Sequence, residues 1–263
     1  MALDSDPSGA GTRGRRGGRP LSAAPLLLVE GLVKNFRGLR AVDGVSFSVA
    51  AGEVVALIGP NGAGKTTVFN MIAGVFEPDE GRIEMEGASL VGLRPDQVCR
   101  TGIGRTFQLV KPFGNISVEE NVLIGALRWT HDVDQARRRA REVLELLGLA
   151  DKRRQMARGL TLPDRKCLEV ARALATGPKL LLLDEVMAGL RPAETDRMVE
   201  TFRRLNRETG LTIVLIEHVM RAVMALSQRV VVINTGKPVC EGAPEEVVRD
   251  PRVLECYLGQ EKL

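Results

Sequence analysis

The chain has 263 residues, of which 44% are hydrophobic and 27% are charged, and its formal net charge is +4. These values are ordinary for a soluble globular protein of one large or two modest domains, and so small a charge excess indicates no nucleic-acid partner. The longest apolar runs, residues 23–29 and 180–183, are too short to cross a bilayer, and the four scattered cysteines predict reduced thiols in an intracellular protein.

The N-terminal half opens with an unstructured segment followed by short strands. Residues 1–24 are rich in Gly, Ser, Arg and Pro without hydrophobic periodicity, which predicts a disordered leader. From there to about residue 107, short β-type runs dominate. The predicted strands are Leu26–Val29, Val45–Val49, Glu53–Ile58, Arg82–Met85 and Gly104–Phe107.

A glycine-rich segment between the third of these strands and a helix predicted over Lys65–Ala73 is the most informative stretch. Its glycines allow a tight turn whose N–H groups converge at a helix N-terminus, which favours an anion. Lys65 can reach the terminal phosphates of a nucleoside triphosphate, and the Thr66 hydroxyl can ligate Mg²⁺. The segment, here called the phosphate loop, is Gly59, Pro60, Asn61, Gly62, Ala63, Gly64, Lys65, Thr66 and Thr67.

The middle of the chain is helical, and strands return after it. Residues 134–149 place Ala136, Ala140, Val143 and Leu144 on one helical face, and arginines on the other. We interpret the arginine face as solvated, in preference to a contact with anionic lipid. Strands are predicted at Lys179–Leu183, Thr212–Ile216 and Arg229–Ile233, with a helix opening at Pro192 between the first two.

This order predicts an α/β fold: a mainly parallel sheet flanked by helices, an antiparallel β portion and an inserted all-helical lobe. The phosphate loop makes it a P-loop NTPase core. We expect one domain over residues 25–263. Its nucleotide-binding core is residues 25–107 and 177–250, its helical lobe residues 108–176, and its C-terminal helix and tail residues 251–263.

Polar side chains follow three of the predicted strands. Asp184 and Glu185 end the leucine run, where Asp184 can hold Mg²⁺ and Glu185 can polarise the water that attacks the γ-phosphate. His218 ends the next strand and can hydrogen-bond the γ-phosphate and that water, whereas His131 is interpreted as incidental. Gln108 can complete magnesium coordination or hold water.

The segments GPNGAGKTT, RTFQ, LLLLDE and EHVM stand in the order, and near the spacing, of the motifs of ABC transporter ATP-binding subunits. From residue 25 onward the chain therefore resembles such a subunit. The resemblance implies ATP and Mg²⁺ as cofactors, adenine stacking on Phe36, and hydrolysis between two such subunits packed head to tail as a homo- or heterodimer. FGNISVEENVLIGA, MAGL, IEHVM and VLECYLG are similar to the group that imports branched-chain and other hydrophobic amino acids. That group implies permease partners, an indirectly coupled periplasmic binding protein and a peripheral position on the cytoplasmic face of the cell membrane.

One segment departs from the family. Where the resemblance implies LSGGQ, whose serine and glycine N–H groups grip the partner's γ-phosphate, the chain has Leu160–Lys166, here called the signature segment. Thr161 keeps a hydroxyl and can cap the following helix, but Pro163 has no N–H to donate. Asp164 brings a negative charge, which Arg165 and Lys166 are expected to compensate. Arg191 stands where the family usually has Asp or Asn.

Four hypotheses follow. The first is an import ATPase whose permease inserts short helices into a cleft between lobe and core, lined by Gln108–Leu123. The second is a non-transport ABC ATPase acting on nucleic acid or ribosomes, which usually has two ATP modules or a long coiled coil. The third is a subunit exporting lipid or lipopolysaccharide. The fourth, suggested by the signature segment, is a weakly hydrolysing regulatory half of a heterodimer.

Overall fold

A computed structural model describes residues 24–108 and 110–258. All of the predicted leader except Ala24, and residues 259–263 of the predicted tail, lie outside the described residues. The strands are β1 (Leu27–Phe36), β2 (Leu39–Val49), β3 (Val54–Ile58), β4 (Glu80–Met85), β5 (Ala88–Ser89), β6 (Ile103–Arg105), β7 (Leu180–Asp184), β8 (Thr212–Ile216), β9 (Arg229–Asn234) and β10 (Lys237–Gly242). The helices are α1 (Lys65–Ile72), α2 (Pro95–Arg100), α3 (Val118–Ala126), α4 (Val133–Leu146), α5 (Leu162–Ala175), α6 (Pro192–Thr209), α7 (Met220–Leu226), α8 (Pro244–Val247) and α9 (Pro251–Leu258).

Two sheets form the β structure. The larger has the order β10-β9-β3-β8-β7-β6, and all its pairs are parallel except β10 with β9. The smaller is antiparallel, with the order β2-β1-β4-β5. The predicted mainly parallel sheet with an antiparallel β portion is therefore confirmed.

Central strands of the larger sheet are buried on both faces. Every residue of β3, β7 and β8 is buried. Along β7, Leu181 and Leu183 join the core that includes α3 to α7, whereas Leu180 and Leu182 join the core under α1 and the antiparallel sheet. This two-sided burial explains why these strands are continuous apolar runs in the sequence.

The first two strands extend well beyond the predicted Leu26–Val29 and Val45–Val49. Gly31 adopts a φ of +61°, and the register of β1 against β2 shifts between Val29 and Leu32. An irregularity of this kind moves side chains to the other face, so the alternating pattern stops while the strand continues. The prediction also ran two residues too far at β6, which ends at Arg105 rather than Phe107.

Three helices pack together between β6 and β7, where the helical lobe was expected. The predicted apolar face of α4 is buried, with Ala136, Ala140 and Leu144 at 0% exposure. The opposite face is exposed at Arg138 and Arg141, and its arginines also bond to the neighbouring helices. Arg141 donates to Glu119 of α3 at 3.0 Å, and Arg139 donates to the carbonyl of Ala175 of α5 at 3.1 Å. Among the described residues, no helix combines the length and apolar character that a bilayer crossing requires.

Candidate functional site

The phosphate loop joins the end of β3 to the start of α1. Gly59 has a φ of +151°, and a Cβ there would lie 2.0 Å from the carbonyl oxygen of Ile233. Gly64, in the left-handed conformation at the N-cap of α1, would place a Cβ 2.5 Å from the carbonyl oxygen of Ala41. Only glycine fits at these positions, because other residues would clash with main chain that cannot move independently.

Lys65 lies across this loop. Its Nζ donates to the carbonyl oxygens of Gly59 at 2.7 Å and Pro60 at 2.9 Å, and the residue is only 6% exposed. Burial lowers the pKa of Lys65, while the carboxylates of Glu185 and Asp184 act in the opposite direction. A buried ammonium held by two carbonyls is well placed to exchange them for phosphate oxygens.

A cleft of about 520 Å³ opens beside the loop. Leu39, Arg40, Ala41 and Thr235 also line it, and the sequence alone did not single them out. Predicted site residues that line the cleft are Phe36, Asn61, Gly62, Ala63, Gly64, Lys65, Thr66, Thr67, Gln108 and Glu185.

Phe36 stands at one rim of the cleft. It is the last residue of β1 and half-buried, and its ring packs edge-on against Phe76, with centroids 5.2 Å apart. Nζ of Lys34 lies 5.8 Å from the Phe36 centroid. The ring is thus held in place by packing while contributing to the cleft wall, a position suited to stacking on a planar base.

Asp184 lies beneath the cleft at the end of β7 and is 1% exposed. Its Oδ2 accepts from Nη2 of Arg105 at 3.3 Å, and its N–H donates to Oγ1 of Thr106 at 3.0 Å. Burial raises the pKa of Asp184, although the adjacent Arg105 opposes this. Its Oδ1 is buried without a hydrogen-bond partner among the described residues.

These donors fit a magnesium ion. Mg²⁺ prefers oxygen ligands and is usually held by one or two carboxylates together with substrate phosphates and water. Asp184 supplies a buried unpartnered oxygen, and Thr66 and Gln108 in the adjoining cleft offer a hydroxyl and an amide oxygen. Across the described part of the chain, no group of three or more His, Cys, Asp or Glu could hold a metal by itself. Nucleotide oxygens would therefore have to complete the coordination.

Both carboxylate oxygens of Glu185 have a side-chain partner. Nε2 of His218 lies 2.8 Å from its Oε1, and Nε2 of Gln108 donates to its Oε2 at 2.8 Å. In a neutral imidazole, the Nε2–H tautomer makes the first of these a donor to the carboxylate. Glu185 also has a φ of +50°, which is uncommon outside glycine. The structure thus brings two predicted residues, from separate parts of the chain, to the carboxylate of a third.

The signature segment lies at the start of α5, and Thr161 is not among the residues lining the cleft. Thr161 caps the helix, since its Oγ1 accepts from the N–H of Asp164 at 3.4 Å and donates to Oδ2 of Asp164 at 2.7 Å. The compensating charge for Asp164 is Lys152, whose Nζ lies 2.6 Å from each carboxylate oxygen. Burial raises the pKa of Asp164, but the hydrogen bonds from Lys152 and Thr161 outweigh it and leave the pKa lowered.

The expectation that Arg165 and Lys166 would neutralise Asp164 is therefore wrong. Arg165 donates through Nε to the carbonyl of Leu160 at 2.9 Å, and Lys166 donates to the carbonyl of Glu185 at 2.9 Å. Successive residues of a helix point about 100° apart, so neighbours in sequence face different surroundings. Arg191, the other departure, is exposed just before α6, where its N–H donates to Oε2 of Glu194 at 2.8 Å.

A second cleft, of about 400 Å³ and here called the lobe cleft, lies between α3 and α5 on one side and α2 and β6 on the other. Its apolar rim includes Val75, Phe107 and Ile124, which are 47%, 55% and 49% exposed. No described residue of 108–123 lines it, contrary to expectation, because that segment folds back onto α3. The side chain of Asn121 bonds both the N–H and the carbonyl of Phe113, at 2.9 and 3.1 Å.

Three residues take part in the site in ways that the sequence did not predict, although Lys166 was named there for another role. Arg105 pairs with Asp184, Lys166 holds the main chain of Glu185, and buried Glu217 accepts the N–H of Met187 at 2.8 Å. The only signal available was proximity in sequence, since each stands within a few residues of Gln108, Thr161 or His218.

Comparisons with known proteins agree with this geometry. Residues 42–188 match a family model described as ABC transporter, and residues 237–262 match one described as branched-chain amino acid ATP-binding cassette transporter. The high-affinity branched-chain amino acid transport ATP-binding protein LivG of Salmonella typhimurium is 41% identical over 251 residues, covering 90% of this chain and 98% of that protein.

Solved structures show the same fold. An ATP-binding cassette of an ABC transporter in its ADP conformation superposes with a TM-score of 0.82 at 32% identity, covering 90% of this chain and 100% of that chain. A dimeric bacterial ABC transporter cassette has a TM-score of 0.76 at 23% identity, covering 83% of this chain and 98% of that chain.

Proposed function

Because this chain belongs to the ABC transporter family, among its branched-chain amino acid transport ATP-binding proteins, we propose that it hydrolyses ATP to energise uptake of branched-chain or other hydrophobic amino acids. As a member, it is an ATPase coupled to transport. The single observation that carries the catalytic assignment is the Glu185 carboxylate, held between Gln108 and His218 at the cleft that the phosphate loop lines.

In the proposed reaction, Phe36 stacks on adenine while the loop N–H groups and Lys65 bind the phosphates. Glu185 orients a water and accepts its proton as the water oxygen attacks the γ-phosphorus and the bond to the bridging oxygen breaks. ADP and phosphate leave. Neutral His218 has a single N–H, which holds the carboxylate here and would have to leave it to donate to the γ-phosphate.

Asp184, Thr66 and Gln108 are the residues proposed to hold Mg²⁺. When bound, the ion neutralises charge on the β- and γ-phosphate oxygens. Arg105 would hold Oδ2 of Asp184 and leave the unpartnered Oδ1 available as a ligand.

ATP-binding subunits of this family work in pairs and with membrane permeases, and we propose both partners here. A second ATP-binding subunit, identical or different, would complete each site through its signature segment. The apolar rim of the lobe cleft would receive a short permease helix. A periplasmic binding protein would deliver the amino acid on the far side, and this chain would sit peripherally on the cytoplasmic face of the membrane.

The test is ATPase activity of the chain reconstituted with its permease and binding protein in liposomes. Leucine, isoleucine or valine should stimulate turnover, and Lys65→Ala should abolish it. Stimulation by lipid or lipopolysaccharide instead would favour the export alternative, and a stable complex with ribosomes or DNA would favour a non-transport ATPase. Turnover that survives Lys65→Ala would contradict the nucleotide assignment itself.

One observation favours a second candidate, the weakly hydrolysing half of a heterodimer. At the start of α5, Pro163 has no N–H and the N–H of Asp164 is already bonded to Thr161, which leaves few donors for a partner's phosphate. Turnover of the assembled complex that falls with Glu185→Gln but not with Thr161→Ala would support that candidate for the signature segment.

A further inference from the structure

A buried lysine links the helix that begins at the signature segment to the main chain of Glu185. Lys166 of α5 is 6% exposed, and its Nζ donates to the carbonyl oxygen of Glu185 at 2.9 Å. Burial lowers the pKa of Lys166, while the surrounding carboxylates of Glu217, Glu185, Asp184 and Glu169 oppose that shift. The ammonium therefore has several carboxylates around it but bonds to a main-chain oxygen.

The carbonyl that Lys166 holds belongs to a residue in an unusual conformation. Glu185 has a φ of +50°, its N–H donates to the carbonyl of Ile216 at 2.9 Å, and its carbonyl also accepts the N–H of Ala188 at 3.2 Å. A left-handed conformation at a residue other than glycine persists only where the surroundings enforce it. The direction of the Glu185 side chain depends on that conformation, because φ and ψ set where Cβ points.

Glu217 holds the same turn from another element. It follows β8, is 1% exposed, and its Oε1 accepts the N–H of Met187 at 2.8 Å. Its Oε2 has no hydrogen-bond partner among the described residues. Two buried ionisable side chains, one from α5 and one from the end of β8, thus fix two peptide groups of the turn that follows Glu185.

We propose that Lys166 is a positioning residue for Glu185. It ties the direction of the carboxylate that orients the attacking water to the placement of α5. The inference rests on the proposed function. In the dimer, the start of α5 meets the nucleotide bound by the partner subunit, so movement of α5 would be transmitted through Lys166 to the carboxylate of its own subunit. Binding of ATP should not need this link, because Lys166 does not line the nucleotide cleft.

The experiment compares Lys166→Met, Lys166→Arg and the control Lys179→Met in the reconstituted transporter. Lys179 is exposed, pairs with Glu86 and precedes β7, at the opposite end of that strand from Asp184. We expect kcat of Lys166→Met to fall by about ten- to a hundred-fold, the cost typical of a misplaced catalytic group. KM for ATP and Kd for a fluorescent ATP analogue should stay within about two-fold. The reason is that the link acts on the transition state and not on ATP binding in the ground state. Lys166→Arg should recover much of kcat, because it restores a donor and the charge.

A second measurement separates positioning from simple support of the fold. In a Glu185→Gln background, ATP-driven dimerisation of the full chain should be the same with Lys166 as with Met at that position, because the lysine acts through Glu185. Unchanged kcat in Lys166→Met would overturn the inference, and so would loss of ATP affinity or dimerisation together with a lowered melting temperature. Full turnover by Glu185→Gln itself would instead contradict the proposed function.

Discussion

Nε2 of His218 lies 2.8 Å from Oε1 of Glu185, although the two residues follow different strands. The side chain of Glu185 is 15% exposed and lines the cleft, whereas that of His218 is 34% exposed and lies outside the cleft lining. Gln108 occupies the other carboxylate oxygen. A carboxylate held at both oxygens has its direction fixed before any substrate arrives, which favours a general base.

Replacing Glu185 by glutamine should stop hydrolysis and keep ATP binding. Glutamine retains the size and an acceptor oxygen but cannot take a proton from water, so we expect kcat to fall by about 10²- to 10⁴-fold. Steady-state ATPase rates and nucleotide affinity check this, with Glu208→Gln on the exposed end of α6 as the matched control. A fall of less than ten-fold would show that another group activates the water.

Removing the imidazole should lower turnover by less. His218→Ala leaves Oε1 of Glu185 without its donor, whereas His218→Gln offers an amide N–H in a similar place. We expect about a ten- to hundred-fold loss of kcat for alanine, and a smaller loss for glutamine. His131→Ala, an exposed histidine outside the site, serves as the control. Equal effects of both substitutions at His218 would argue against the hydrogen bond as the cause.

Glu217 should make stability depend on pH. Burial raises its pKa from 4.5 to about 7, so between these values the folded protein binds more protons than the unfolded chain. Stability of the wild type should therefore fall as pH rises through this window. Glu217→Gln removes the titration, so the free energy of unfolding of wild type relative to the variant should decrease by as much as about 3 kcal/mol from pH 4.5 to 7.

Denaturant unfolding at several pH values, with Glu208→Gln as a control for an exposed carboxylate, measures that difference. The variant has its own offset, because its amide must find partners, but only the slope with pH is diagnostic. Parallel curves for wild type and Glu217→Gln would mean that Glu217 titrates normally in the folded protein.

The charge pair at the signature segment should affect both stability and turnover. Lys152→Met leaves the carboxylate of Asp164 without its cation, and because Lys152 is 42% exposed we expect only about 0.5–1 kcal/mol of lost stability. The effect on turnover should be larger than this small loss of stability implies, since an uncompensated anion would face the partner's nucleotide. Adding Asp164→Asn should restore turnover. If the double variant is as slow as Lys152→Met, charge repulsion is not the reason.

The lobe cleft offers a test of permease docking. Ile124→Glu puts a charge into its apolar rim, and we expect loss of permease co-purification with little change in ATP affinity. Val133→Glu, at a similarly exposed valine that begins α4, is the control. Retention of the permease by Ile124→Glu would place its docking elsewhere.

Local patterns predicted much of this molecule. The phosphate loop, the buried strands and the cap at Thr161 each depend on residues close in sequence. Side-chain contacts between distant parts of the chain were not predicted, such as that between Arg105 and Asp184, which are 79 residues apart. Strand β1 was underestimated because the irregularity at Gly31 interrupts the pattern without ending the strand. Lys152 as the partner of Asp164 could not be foreseen, because it depends on how the turn before α5 folds.

The alternation along β7 decides the roles of the two carboxylates that end the strand run. Leu180 and Leu182 face the core under α1, and Asp184 is next in that alternation. An inserted or deleted residue in the leucine run would move every side chain to the opposite face. The carboxylate now buried beneath the phosphate loop would turn away from it, although Asp184 and Glu185 would still stand side by side in the sequence. The number of leucines in the run, more than their apolar character, therefore sets which of the two acids faces the phosphate loop.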